Sequence, residues 1–421
     1  MVTLAAATAW TGFVPTAGAA PVEPGSFYEP PTSISTVPGS VVKTEPLPLY
    51  LAAPGSDGAY PAVAQRVMYA SRTQDDIPVA VTGTFIDTDV PWRGSGPRPT
   101  IVVAPGTIGQ GDQCAPSMAF TLGLKAGVDP LSLSANQELA SSTLWGSMGA
   151  RVFVTDYIGL GTPGLHTYVN RIEQAHAVLD GARAANALSG DPDAPIGLWG
   201  YSQGGGATAS AAESAASYAP ELNIKGTWAG APTADLLDVL KKVDGTLIGG
   251  VIGYALNGVI ERNPSLRGLL DERVSDYGKN VLADLSTQCI ADTIVKYPFL
   301  RTETLTKDGL SMAQNLTTIP EAAPIFDRQK IGTLTPSAPV LITNGVNDDT
   351  IPYGQARELA STWCDRGATV TFRTNTLPPI LPGAVLPNHF GPQIIDGYGG
   401  AAASYLMDRF ADVPVEGCSI E

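Results

Sequence analysis

The chain has 421 residues, 44% hydrophobic and 15% charged, which is ample material for a core and more length than one compact core normally needs. Its 40 acidic and 25 basic residues leave a net charge of -15, which argues against nucleic-acid binding and fits an acidic extracellular surface. The best apolar run, Gly245 to Ile260, is uncharged for only sixteen residues and is glycine-rich, too short to span a bilayer.

In chain order, residues 1–20 are rich in Ala and Thr and contain Ala17-Gly18-Ala19-Ala20, a small-residue cleavage signature, although a basic stretch before it is missing. They read as the end of a secretory signal, with a disordered apolar N-terminus as the alternative. Residues 21–49 are proline-rich and read as an extended leader. Strands are then predicted at Pro99–Ala104 and Arg151–Thr155, and helices at Asn136–Gly149 and Val169–Leu188. Ala194–Trp199 is a short apolar segment bounded by turn formers, the mark of a buried parallel strand. It leads into Gly200-Tyr201-Ser202-Gln203-Gly204, and an Ala-rich helix over 205–219 stops at Pro220. Further strands are predicted at Ile224–Trp228, Pro339–Asn344 and Thr369–Arg373, and a helix at Ile394–Phe410. The rhythm breaks between Thr233 and about Pro320, where helical patterns replace alternation. This stretch is predicted either to cover the site or to pack as ordinary helical core.

A serine between a strand and a helix, flanked by glycines, sits on a tight bend that exposes its hydroxyl. The hydroxyl needs a base to become nucleophilic. Of three histidines, His166 and His176 precede the serine, while His389 lies in a Pro- and Gly-bounded loop after the last predicted strand. A carboxylate to orient that imidazole should also follow a strand. Asp348 and Asp349 both do, and both are also plausible turn or cap residues. The order Ser, Asp, His is the one α/β-hydrolases use, whereas chymotrypsin-like and subtilisin-like enzymes use other orders. Four cysteines, Cys114, Cys289, Cys364 and Cys418, have no metal-ligand spacing; an even number in an exported chain predicts two disulfides, with three pairings open.

Several separated segments resemble the secreted lipases typified by fungal lipase A, seen also among actinobacterial secreted lipases. They are Cys114-Ala115-Pro116-Ser117, Gly200-Tyr201-Ser202, Tyr218-Ala219-Pro220-Glu221-Leu222-Asn223-Ile224, Tyr297-Pro298-Phe299-Leu300, Asp348 with Ile351-Pro352-Tyr353, and Cys364 before Gly367-Ala368. The resemblance implies an α/β-hydrolase fold, a doubly wound and mostly parallel sheet, with a helical cap or lid insertion. Residues 50–232 and 321–421 would form the catalytic domain and 233–320 the insertion. It implies ester hydrolysis by Ser202, Asp348 and His389, a lipid or small ester as partner, met free or at a lipid–water interface, and no metal or organic cofactor. It also implies the pairs Cys114–Cys289 and Cys364–Cys418. One departure stands out: where such lipases can carry an acidic oxyanion-hole side chain, this chain has Thr107, whose hydroxyl or amide would act with the amide of Gln203. Gly-Tyr-Ser-Gln-Gly also resembles the cutinase elbow, so a polyester hydrolase or acyltransferase is the alternative, and a non-catalytic lipid carrier the more distant one. Oligomeric state is not legible.

Overall fold

The computed structural model describes residues 26–49, 63–128 and 131–421; the predicted signal remnant and the boundary at residue 50 lie outside them. Ten strands form one sheet in the order β1-β2-β3-β7-β4-β8-β9-β10-β11-β12. They are β1 (Val41–Pro46), β2 (Val63–Arg72), β3 (Pro78–Asp87), β4 (Thr100–Ala104), β7 (Arg151–Thr155), β8 (Ile196–Tyr201), β9 (Ile224–Gly230), β10 (Val340–Gly345), β11 (Val370–Asn375) and β12 (Cys418–Ile420). From β7 to β12 every pair is parallel, and β1, β2 and β3 extend one edge antiparallel. A separate hairpin pairs β5 (Leu124–Val128) with β6 (Leu131–Ala135).

The central parallel strands β4, β7 and β8 are largely apolar and buried because both sheet faces are covered there. On one face the helices Arg171–Ser189 and Gln203–Tyr218 pack Ala177, Val178, Ala207 and Ala211 against Val102, Phe153 and Leu198. Their many alanines let the two helices and the sheet approach closely. The first of these helices opens on Asn170, whose side chain accepts from the Glu173 amide, and ends at Gly190 in the left-handed region (φ 68°). On the other face the helices Glu138–Ser147 and Ala401–Phe410 bury Trp145, Leu406 and Phe410 against Trp199 and Trp228.

Three expectations need correction. Residues 41–46, read as part of an extended leader, pair with β2 as an edge strand. The predicted helix Ile394–Phe410 is broken: Gln393–Tyr398 winds with π-helical spacing, Gly400 takes φ 108°, and only Ala401–Phe410 is α-helical. His389 lies not in an open loop but on a π-helical turn, Leu386–Phe390.

Between β9 and β10 the described chain is helical, with helices Leu236–Val243, Val251–Arg262, Ser265–Asp271, Asp276–Leu285, Ile290–Lys296, Met312–Thr317 and Ala322–Arg328. They share an apolar core of their own that includes Val243, Tyr254, Leu285, Met312 and Phe326. Among the described residues no helix is long and apolar enough to cross a membrane. Cys114 is bonded to Cys289, fastening the start of helix Ile290–Lys296 to the segment after β4. Around this bond the Ile290 amide donates to Ile108 O (2.7 Å) and the Gln110 amide to Gln288 O (2.9 Å). Gly109 (φ 140°) is confined there, since a Cβ would lie 2.5 Å from Cys289 Cα. Cys364 is bonded to Cys418, holding β12 on helix Tyr353–Asp365.

Candidate active site

β8 delivers Ser202 at the end of the sheet with φ 60° and ψ -119°, a conformation that glycine adopts readily and serine does not. The bend is held on both sides: the Ser202 amide donates to Gly230 O and Ser202 O accepts from the Gly206 amide, each at 2.9 Å. Glycines flank it because the chain nearly touches itself. A Cβ on Gly200 would lie 2.2 Å from Gly204 O, and one on Gly204 would lie 2.0 Å from Ala104 O. Gln203 is the first helical residue, so its N–H has no partner four residues back.

His389 Nε2 lies 2.9 Å from Ser202 Oγ. Its Nδ1 lies 2.8 Å from Asp348 Oδ2 and 3.0 Å from Oδ1, so a carboxylate holds the Nδ1–H tautomer and leaves Nε2 free to accept from the serine. Asp348 is itself fixed, because its Oδ1 accepts from the Thr350 and Ile351 amides at 2.8 and 2.9 Å. The Tyr201 hydroxyl donates to His389 O at 2.7 Å. Asp349 does not touch the imidazole. Its Oδ2 accepts from the Gly383 and Val385 amides and from Asn388 Nδ2, at 2.8, 3.2 and 3.2 Å, and so clamps the segment that carries His389. Residue order and the strand end did not separate the two aspartates; only the family resemblance pointed to Asp348.

The segment after β4 faces the same serine. The Gly106 amide donates to Glu138 Oε1 (3.1 Å), and Tyr157 Oη donates to Pro105 O (2.8 Å). Burial pushes the Glu138 carboxyl above the ordinary range, against the opposing hydrogen bonds from Gly106 and Ser141. Thr107 Oγ1 lies 2.7 Å from Tyr168 Oη. His166, passed over in the sequence because it precedes the serine, is buried beside the nucleophile's neighbour. Its Nδ1 donates to Ile158 O (2.9 Å) and its Nε2 accepts from Gln203 Nε2 (3.1 Å). Burial, only partly opposed by the bond to Ile158, pushes it down to about 4, so it stays neutral. His176 is remote in role: it bonds Arg72 O and stacks on Tyr218. Among the described residues no group of three His, Cys, Asp or Glu side chains is arranged to hold a metal ion.

Ser202, Thr107 and Tyr168 line one crevice with Leu236, Leu240, Val251 and Ala255 of the helical segment between β9 and β10. Its empty volume, open mouth included, is about 430 Å³. Gly250 and Gly253, in the same run, face elsewhere: a Cβ on them would lie 2.4 Å from Thr293 Cγ2 and 2.3 Å from Leu285 Cδ1.

A hydroxyl on a strained strand-to-helix bend, bonded to an imidazole that is bonded to a carboxylate, on a mostly parallel sheet, is the constellation of an α/β-hydrolase equipped for ester cleavage. Residues 125–417 match the family described as secretory lipase, and the chain belongs to that family. Among its relatives is a Mycobacterium tuberculosis protein named "Probable inactive lipase MT1628", 29% identical over 352 residues, covering 82% of this chain and 75% of the relative. Another is the secreted triacylglycerol lipase LIP3 of Malassezia restricta, 28% identical over 327 residues, covering 74% and 66%. In fold the chain is similar to Candida antarctica lipase A in its closed state, with a TM-score of 0.78, 22% identity, and coverage of 96% of this chain and 90% of that one. It is also similar to the rice cell wall degrading esterase LipA of Xanthomonas oryzae, with a TM-score of 0.66, 17% identity, and coverage of 86% and 98%. The protein is a carboxylic ester hydrolase of a family of secreted lipases.

Proposed function

We propose that the protein hydrolyses lipid esters, acylglycerols among them, through an acyl-enzyme on Ser202. The observation that carries this is the unbroken chain from Ser202 Oγ to His389 Nε2 and from Nδ1 to Asp348, all three side chains buried. His389 takes the Ser202 proton as Oγ attacks the ester carbonyl, and Asp348 stabilises the resulting imidazolium. The amide of Gln203 and a donor at Thr107 receive the negative charge on the carbonyl oxygen. Collapse of the tetrahedral adduct releases the alcohol, which leaves with the proton from His389. A water molecule, deprotonated by the same imidazole, then frees the fatty acid and restores Ser202.

The apolar lining of the crevice supports an acyl tail as the group bound there, and the name of the Malassezia relative supports triacylglycerol as one source of it. In this reading residues 50–232 and 321–421 form the catalytic body and 233–320 the cap over the acyl chain, and the protein acts outside the cell after losing residues 1–20. A relative named as inactive makes turnover the decisive measurement. Wild-type protein and Ser202→Ala should be assayed on p-nitrophenyl and glycerol esters from acetate to long chains. The proposal expects turnover lost by at least about 10³-fold in Ser202→Ala; unchanged turnover in a folded Ser202→Ala sample rejects it.

A further inference from the structure

The Thr107–Tyr168 contact holds more protons than it uses. Two hydroxyls bring two O–H donors, and their single 2.7 Å hydrogen bond consumes one. Among the described residues neither oxygen has a second hydrogen-bond partner. One donor is therefore left over, and both residues line the crevice into which Ser202 opens.

Which proton is left follows from acidity. A phenol is the more acidic hydroxyl, so it is the stronger donor and weaker acceptor of the pair. Tyr168 Oη therefore donates to Thr107 Oγ1. That bond fills a lone pair of the threonine oxygen and fixes its rotation, so the Thr107 proton points away from Tyr168. The backbone just before Thr107 is held by the Gly106 to Glu138 and Tyr157 to Pro105 bonds. Resting on the acyl-enzyme reading above, we propose that the Thr107 hydroxyl donates to the oxyanion, and that Tyr168 is the positioning residue that aims it. Burial pushes the phenol up to about 12, so it keeps its proton throughout the working range. A donor built this way does not titrate, unlike a carboxylic acid in the same place.

The test uses full-length protein and a short soluble ester, p-nitrophenyl butyrate, so that acyl-chain binding contributes little. Thr107→Val, which keeps shape and loses the hydroxyl, should lower kcat roughly 10²-fold, the usual cost of one oxyanion donor. Thr107→Ser should retain most of it. Tyr168→Phe should lower kcat about tenfold with KM within about twofold, because the proton remains but is no longer aimed. The double variant should be no slower than Thr107→Val alone, since Tyr168 acts only through Thr107. Affinity for a trifluoromethyl ketone, which forms the tetrahedral oxyanion on Ser202, should fall in parallel with kcat/KM. Wild-type kcat in Tyr168→Phe, losses that multiply in the double variant, or losses confined to KM would each overturn the proposal. Should Tyr168→Phe not fold, the Ser and Val variants at position 107 still decide whether the hydroxyl is used. Turnover surviving in Ser202→Ala would instead retire the acyl-enzyme reading, so the two failures are distinguishable.

Discussion

Replacing Ser202 with glycine should stabilise the protein relative to replacing it with alanine, while both abolish turnover. At φ 60° and ψ -119° a side chain is strained, at a cost of about 1–3 kcal/mol. Alanine keeps the Cβ and the strain; glycine loses both. Each variant equally loses the 2.9 Å bond to His389, so its net worth cancels in the comparison. Glycine adds freedom to the unfolded chain, costing about 0.5–1 kcal/mol. The difference in favour of glycine is therefore roughly 0.5–2 kcal/mol. Unfolding entropies near 2.1 cal/mol/K per residue sum to roughly 0.9 kcal/mol/K over a chain of this length, so the gain appears as about 1–2 °C. Replicate scanning calorimetry resolves that, alongside ester assays to verify that both variants have lost turnover by more than about 10³-fold. A glycine variant melting at or below the alanine variant would refute the claim that the elbow is strained.

Three further outcomes follow from the same geometry. Ala255→Phe should narrow the crevice and cut the ratio of long- to short-chain ester rates by about 50-fold if three methylenes at ~0.8 kcal/mol each are excluded. Gly253→Phe should instead overpack its helix against Leu285 and lower stability and all rates together; equal selectivity changes in the two variants would count against this assignment of faces. Asp348→Asn should reduce kcat by about 10⁴-fold through loss of the correct tautomer. Asp349→Asn, which only loosens residues 383–388, should cost at least a hundredfold less, and comparable losses in both would contradict the division of labour. Burial raises Asp112 to about 7, against an ordinary value near 3.8. The folded state thus holds a proton that the unfolded chain has released, and this contribution to stability is complete below about 4 and fades as pH rises through 7. The melting temperature of Asp112→Asn minus that of wild type should therefore be more positive at pH 8 than at pH 5, and a pH-independent difference would exclude the effect.

The parallel half of the sheet was legible because its strands are short, apolar and separated by helices with caps and stops. The antiparallel strands β2 and β3 were not, since residues such as Gln65, Arg66 and Thr82 interrupt any simple alternation. β12 is only three residues long and is held in part by the bond to Cys364. Ser202 and His389 could be picked out because chain order and strand ends constrain them, whereas the same constraints left Asp348 and Asp349 level and only the family resemblance chose between them. The rest of the site could not, because His166 reaches Gln203, and Tyr168 reaches Thr107, only through tertiary folding that leaves no local pattern. Pro387, Gly391 and Pro392 signalled a loop around His389, yet the backbone closes π-helical turns there, a spacing with no compositional mark. The direction of Gly250 and Gly253 was equally hidden, because a run apolar on all sides does not say which face meets the substrate.

The two disulfides join the first cysteine to the second and the third to the fourth. In a chain threaded N-terminus first into an oxidising compartment, thiols arrive as Cys114, Cys289, Cys364 and Cys418. An oxidase that simply couples each pair as it emerges makes the native connectivity directly, without passing through a mispaired species that must be reshuffled by thiolate exchange. For a chain exported in that way, this connectivity asks for oxidising power more than for isomerase activity.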